Sequence, residues 1–426
     1  SQAFGYRAKA LGNYSTSIGK NSIAGAGKTT AMNAFAFGNG AKATGPDSYA
    51  LGSGATATGE RAFAFGSVGL NDSGDPTSTP TTASASYTVA IGMGAQATNK
   101  GAMALGIGST ASGSSSSTFG YYSTASSSYA MALGYKSQAT QSYTTAVGAY
   151  ASATSSYSSA FGRSATAQGN SSVAVGYAAT TGALATNASA FGRGANATGP
   201  SAMALGVSAT ASGDTSVAIG YLANASNKYA VAIGYASKAS AKNSFSFGYN
   251  SEAAADNSFA IGTYGLNADG SVNTSRPTKT SDTYSVAIGM GAQTSLKGDM
   301  AMGVNATASG GYSTAIGYQP QSLGTYATAL GYMVQANGPK SISIGAYYNY
   351  TGFRLIYDPI TRRFRLIPYN VTKFNIANDE FSIAIGNGNT ASKGGMAFGT
   401  NNSSLAFGST TLGINNRADS AYSVAI

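Results

Sequence analysis

The stretch SVAIGYLANASNKYAVAIG, Ser216–Gly234, decides how this chain folds. A small residue, an apolar residue and a glycine close it twice, at Gly220 and Gly234, 14 residues apart. The same ending, written AFG, AIG, ALG or AVG, puts a glycine at 38, 52 and 66, then at 92, 106, 120, 134, 148, 162 and 176. It returns at 192, 206, 220, 234, 248 and 262, and at 289, 303, 317, 331 and 345; Gly5 and Gly19 also belong. Of the consecutive steps, 18 are 14 residues long, so the structural unit is a short repeat.

With that glycine as position 0, position −1 is large and apolar, as in Phe37, Leu51, Ile91 and Leu133. Position −2 is nearly always Ala, and −3 is often Val, Met, Phe or Tyr. This period-two alternation predicts a strand. Small residues at +3 and +5, as in Ala41/Ala43 and Ala95/Ala97, predict a second strand with one small-residue face. A second glycine is frequent at +7 (Gly45, Gly59, Gly113, Gly169, Gly213). Positions 0 and +7 lie half a repeat apart, where the chain is expected to turn through φ > 0. Two short strands and two tight turns close one coil. Successive coils then hydrogen-bond at about 4.8 Å spacing, and about 25 of them give a rod on the order of 120 Å long. The predicted fold is an all-β parallel solenoid. Helix is disfavoured by Gly, Ser and Thr every few residues, and the charged flanks of a coiled coil are missing.

Composition agrees. Of 426 residues only 9% are charged, against about a quarter in ordinary domains. Gly is 57, Pro 9, and Cys, His and Trp are absent. With Tyr at 28 and Phe at 17 the chain is no disordered linker. A net charge of +10 is spread as single basic residues except in one late segment, with no stripe for nucleic acid. No apolar run is long enough for a membrane-spanning helix, and no signal peptide is visible. The lack of Cys suits passage through an oxidising compartment and equally suits the cytosol.

Small residues at −4, −2 and 0 share one face of the first strand, and the apolar −3 and −1 share the other. Both faces read as buried, in a coil whose interior has room for small residues and about two larger ones. One face packs on the second strand of its own coil. The other needs a partner outside the chain, because left open it would form an apolar stripe larger than monomers show. Parity alone does not say which face points inward.

GAGKTT, near Gly27-Lys28-Thr29, imitates a phosphate-binding loop, G-x-x-x-x-G-K-[ST]. The first glycine should stand at 22, which is Ser22, and coils flank the segment where a strand and a helix belong. No nucleotide is expected. Catalysis is not expected either: there is no His, and the 14 acidic residues are dispersed except for Asp379-Glu380. Metal sites and cofactors are not expected. An ice-binding face would want Thr in ranks at +4, where Lys42, Thr56, Gln96, Thr110 and Asn196 stand instead.

The motif SVAIG at Ser216–Gly220 and Ser285–Gly289, the terminal YSVAI and the 14-residue period resemble the head domains of trimeric autotransporter adhesins of the YadA type. The similarity covers nearly the whole chain outside its insertions. It implies a left-handed parallel β-roll, assembled as a homotrimer on the outer membrane surface of a Gram-negative bacterium. It also implies binding to host extracellular-matrix proteins or to epithelial receptors of the CEACAM type. A non-binding spacer rod of a surface fibre shares the same coils and stays open as an alternative. No neck motif, stalk heptads or membrane anchor are seen, and the chain begins and ends inside repeats ("SQAFG", "SVAI"). It is expected to be a fragment, attached to the membrane only through an anchor it lacks.

The expected organisation is a roll over 1–345 with insertions near 67–87 and 263–284, an inserted hairpin segment over 346–381, and further coils over 382–426. The two insertions, Gly69–Ser84 and Gly265–Asp282, resemble each other and precede similar coils, as if a block had duplicated. Each reads as a binding loop, a tolerated insertion or a clasp between chains. In the hairpin, Phe353–Tyr357 and Arg363–Ile367 are expected strands, with a turn at Asp358-Pro359. It gathers Arg354, Arg362, Arg363 and Arg365 with Tyr357, Tyr369 and Phe364, residue types favoured at interfaces. It reads as a receptor contact or as packing on a neighbouring chain. Tyr recurs at +1, as Tyr121 and Tyr135, then Tyr221, Tyr235 and Tyr249, then Tyr318 and Tyr332. These rings are expected to stack, as corner packing or as an adhesive patch.

Overall fold

The computed structural model describes residues 1–25, 32–69, 73, 75, 77–358 and 363–426, with the backbone alone over 348–358 and 363–372. Two units, Ser1–Thr215 and Ser216–Ile426, repeat one plan. Each coil holds a motif strand at −3 to −1, such as Met131–Leu133, and a return strand at +4 and +5, such as Gln138–Ala139. Within each unit, motif strands pair in parallel with the motif strand of the next coil, as in Met131↔Thr145 and Leu133↔Val147. Return strands do the same, as in Gln138↔Ser152. Among the described residues there is no helix. The chain is therefore the predicted parallel solenoid. The insertions leave its register intact: Phe259 pairs with Val286 across one, and Ile342 with Ile383 across the hairpin. The segment containing Gly27-Lys28-Thr29 lies outside the described residues, and the flanking strands Thr16–Ile18 and Phe35–Phe37 pair as ordinary neighbours.

The structure settles the question of faces. Ala at −2, +3 and +5 points inward and is sealed, as Ala132, Ala139, Ala151 and Ala153 show. The larger residues at −3 and −1 point out. The expectation of about two larger interior residues per coil is wrong, because two strands so closely apposed leave space for a methyl or a hydroxyl. Among the described residues, the largest fully buried side chains are Val334, Asn375, Asn389 and Asn402. The asparagines form a ladder in the second unit. The backbone N–H of Asn389 donates to the Asn375 side chain at 3.0 Å, and that of Asn402 to Asn389 at 2.8 Å. Buried amides are tolerated there because each is satisfied by its neighbour.

The corners correct a second expectation. At position 0 the glycine is essential: Gly134 has φ 133°, and a Cβ on it would lie 2.5 Å from the Gly148 carbonyl oxygen. At +7, however, Gly113 does not adopt positive φ; the left-handed residue is Ser115, two positions on. Each corner is a four-residue turn, closed by backbone bonds such as Ala151 N–H to Gly148 and Ser116 N–H to Gly113. The left-handed residue sits third, at +2 or +9. Hydroxyls at −4 tie the second corner down: Ser116 donates to the Gly113 carbonyl at 2.8 Å and Ser172 to that of Gly169 at 2.7 Å.

Candidate binding surfaces

Three kinds of surface stand on this scaffold. The first is the outward face of the motif strands. In the first unit Phe119 is 59% exposed and is flanked across the ladder by Leu105 and Leu133. With Met103 and Met131 they line a shallow, wholly apolar hollow of about 240 Å³. In the second unit Phe245, Phe247, Phe259 and Ile261 continue the same pattern on neighbouring strands, all exposed. The apolar stripe that the alternation predicted to need a partner is thus open on the single chain.

The second is aromatic. Tyr221, Tyr235 and Tyr249 stack as expected, with ring centroids 5.0 and 4.7 Å apart, and all three are exposed. Tyr121 stacks on Tyr135 at 5.5 Å, and Tyr318 on Tyr332 at 4.9 Å. Sequence reasoning missed a further ladder at +9: Tyr129, Tyr143 and Tyr157 stack at 4.9 and 5.1 Å. These residues hold φ near 58–60°, a left-handed conformation rare for a bulky side chain. Their spacing of 14 was the signal available. Stacking fixes the rings face to face, so each ladder presents ring edges and hydroxyls. Contact with Tyr135 by hydrogen bond holds the Tyr150 phenol above its ordinary range.

The third consists of the insertions. In both, a threonine closes the base with the same pair of bonds. The Thr81 hydroxyl shares its one proton between the Ser67 and Gly92 carbonyls, at 2.8 and 2.6 Å, and the Thr278 hydroxyl does so between the Thr263 and Gly289 carbonyls, at 2.7 and 2.5 Å. This shared geometry fits the reading of a duplicated block. The second insertion folds into a small antiparallel pair, Gly265–Leu266 with Val272–Asn273. It is then clamped to its own chain. Arg276 donates to the Gly291 carbonyl at 2.9 Å, the Asn305 carbonyl at 2.9 Å and the Thr307 hydroxyl at 2.7 Å. Asn305 exchanges two hydrogen bonds with the Leu266 backbone, at 3.1 and 2.6 Å. Burial holds the Arg276 guanidinium below its usual pKa.

The hairpin forms, with strands longer than expected: Tyr348–Asp358 pairs with Arg363–Lys373 over eleven positions. Register puts Arg354, Arg363, Arg365 and Tyr369 at positions of one face and Tyr357 at a position of the other. Arg362 lies outside the described residues. Among the described residues no group of three acidic, His or Cys side chains is placed to hold a metal.

The family model described as YadA head domain repeat (2 copies) matches residues 3–22, 43–67, 97–123, 125–151, 153–179 and 183–209. It matches again, in overlapping copies, at 197–223, 211–237, 225–251 and 239–264, and at 297–319 and 322–347, together more than half of the chain. No curated protein matches the chain.

Proposed function

Since the chain belongs to the YadA head-repeat family, a family of surface-exposed trimeric autotransporter adhesins, we propose that it is an adhesive head that attaches a bacterium to host extracellular-matrix proteins or to epithelial receptors of the CEACAM type. The single observation that carries the assembly is the open motif-strand stripe: Phe119 with Leu105 and Leu133, and its counterparts, form an apolar face with no cover on one chain. Two sister copies, each offering the same face, would bury it. That arrangement leaves the return strands, the corners and both insertions outside, where a ligand can reach them. The Arg- and Tyr-rich hairpin, through Arg354, Arg362, Arg363, Arg365, Tyr357 and Tyr369, is the proposed receptor contact, with the Tyr221–Tyr235–Tyr249 ladder as a second patch. The role is binding and not catalysis. Pull-down of the purified assembly against collagen, fibronectin and a CEACAM ectodomain tests it. Retention of one of them above a denatured control is expected, and retention of none supports the spacer reading instead.

A further inference from the structure

The clamp on the second insertion walls an open cavity. The clamped loop lies over return strands whose outward +4 residues run Thr307, Gln321, Gln335 in consecutive register. Its Leu266 forms one wall, and Phe374, at the foot of the hairpin, forms the other with Met333. The volume of this open groove is about 410 Å³. In the first unit the positions corresponding to Arg276 and Asn305 are Thr79 and Gly108. Neither can make the clamp.

The lining chooses the ligand. Gln319, Gln321 and Gln335 have no side-chain hydrogen bond to any described residue, and each amide can donate and accept at once. Among the described residues no carboxylate lines the space, and the one lining cation, Arg276, has three of its donor contacts satisfied by the chain. A cationic ligand would find no counter-charge among the described lining residues, and an anionic one would meet a single guanidinium whose donors are largely engaged by the chain. Unpaired amides in a row, with an aromatic ring and a thioether at the wall, match neutral polyhydroxylated rings, whose hydroxyls both give and take hydrogen bonds and whose C–H faces are apolar. The row is spaced by one strand step, about 4.8 Å, close to the length of one pyranose unit in an extended chain.

We infer that this groove binds a neutral oligosaccharide along the Thr307–Gln321–Gln335 row. The inference deepens the adhesin reading and rests on it, since the return-strand face stays accessible only if the motif-strand face is the one covered by sister chains. Two probes test it, tetramers of β-1,4-linked N-acetylglucosamine and of N-acetyllactosamine, titrated into the assembled protein by calorimetry and by saturation-transfer NMR. At least one is expected to bind, and Q321A/Q335A to weaken it tenfold or more. Q138A, at the position in the first unit that corresponds to Gln335, where Thr79 and Gly108 replace Arg276 and Asn305, is expected to leave it unchanged. Circular dichroism of each variant controls for folding; the substitutions are on the outer surface. If neither tetramer binds, or if Q321A/Q335A binds as the parent does, the inference is overturned. Matrix-protein pull-down on the same preparations separates the two failures: retained matrix binding without sugar binding refutes the groove alone.

Discussion

Gly134→Ala is the sharpest perturbation of a single coil. The residue has φ 133°, outside the region open to residues with a side chain, and the new Cβ would meet the Gly148 carbonyl oxygen at 2.5 Å and its carbon at 2.6 Å. Both atoms are backbone of the next coil. An ordinary carbon–oxygen approach is about 3.3 Å or more, so the coils must part by nearly an ångström where the Gly148 N–H donates to Leu133 at 2.8 Å. The strained backbone costs about 1–3 kcal/mol. A weakened ladder bond adds roughly 0.5–1.5 kcal/mol, so the total is of the order of 2–4 kcal/mol. Gly40→Ala is the matched control. Its φ of 68° is left-handed and a Cβ there meets nothing within 4 Å, which leaves only the conformational cost of about 1–2 kcal/mol. Because coils in an array open locally, amide hydrogen exchange is the assay. Amides from Leu133 to Val147 should exchange faster in Gly134→Ala by about two decades or more, and those around Gly40 by a smaller factor in its own variant. Equal effects of the two substitutions would refute the close backbone stacking at position 0.

Ala104→Leu should disrupt the roll, since Ala104 is sealed between Ala90 and Thr118; overpacking costs typically 1–3 kcal/mol, read as a lower midpoint in thermal circular dichroism. Phe119→Glu should keep the strand spectrum yet weaken self-association about a hundredfold, because each chain loses roughly 1.5–3 kcal/mol of apolar burial; sedimentation at several concentrations would show it. Arg362→Ala with Arg363→Ala should leave the fold unchanged and reduce capture by a receptor, and a fall in thermal midpoint with capture intact would assign the hairpin to chain packing.

Much of the fold was legible because the period is short and its chemistry strict. The glycine at 0 and the Ala at −2 recur so regularly that strand, turn and stacking followed from spacing. The inward face did not, since parity treats Ala132 and Leu133 alike; only the narrow gap between strands, which admits a methyl, selects the alanine. The corner at Gly113 was placed rightly, but its left-handed residue was not, for a related reason. Glycine there suits a tight approach of backbones, while the left-handed turn is borne by residues such as Ser115 and Tyr143, whose types advertise no such conformation. The Tyr129–Tyr143–Tyr157 ladder was hidden by that misplacement. The Arg276–Asn305 clamp had no local signal, because its bonds join residues 29 and 39 positions apart. The hairpin was visible from its Arg- and Tyr-rich alternation, though its strands run further on both sides.

The most direct measurement is the solution mass of the folded protein by light scattering coupled to size-exclusion chromatography. With a chain of 42.3 kDa, burial of the motif-strand stripe between sister copies gives a species of three times that mass with an all-β spectrum. A stable species of 42.3 kDa with the same spectrum, its phenylalanine and leucine stripe left in water, would contradict it.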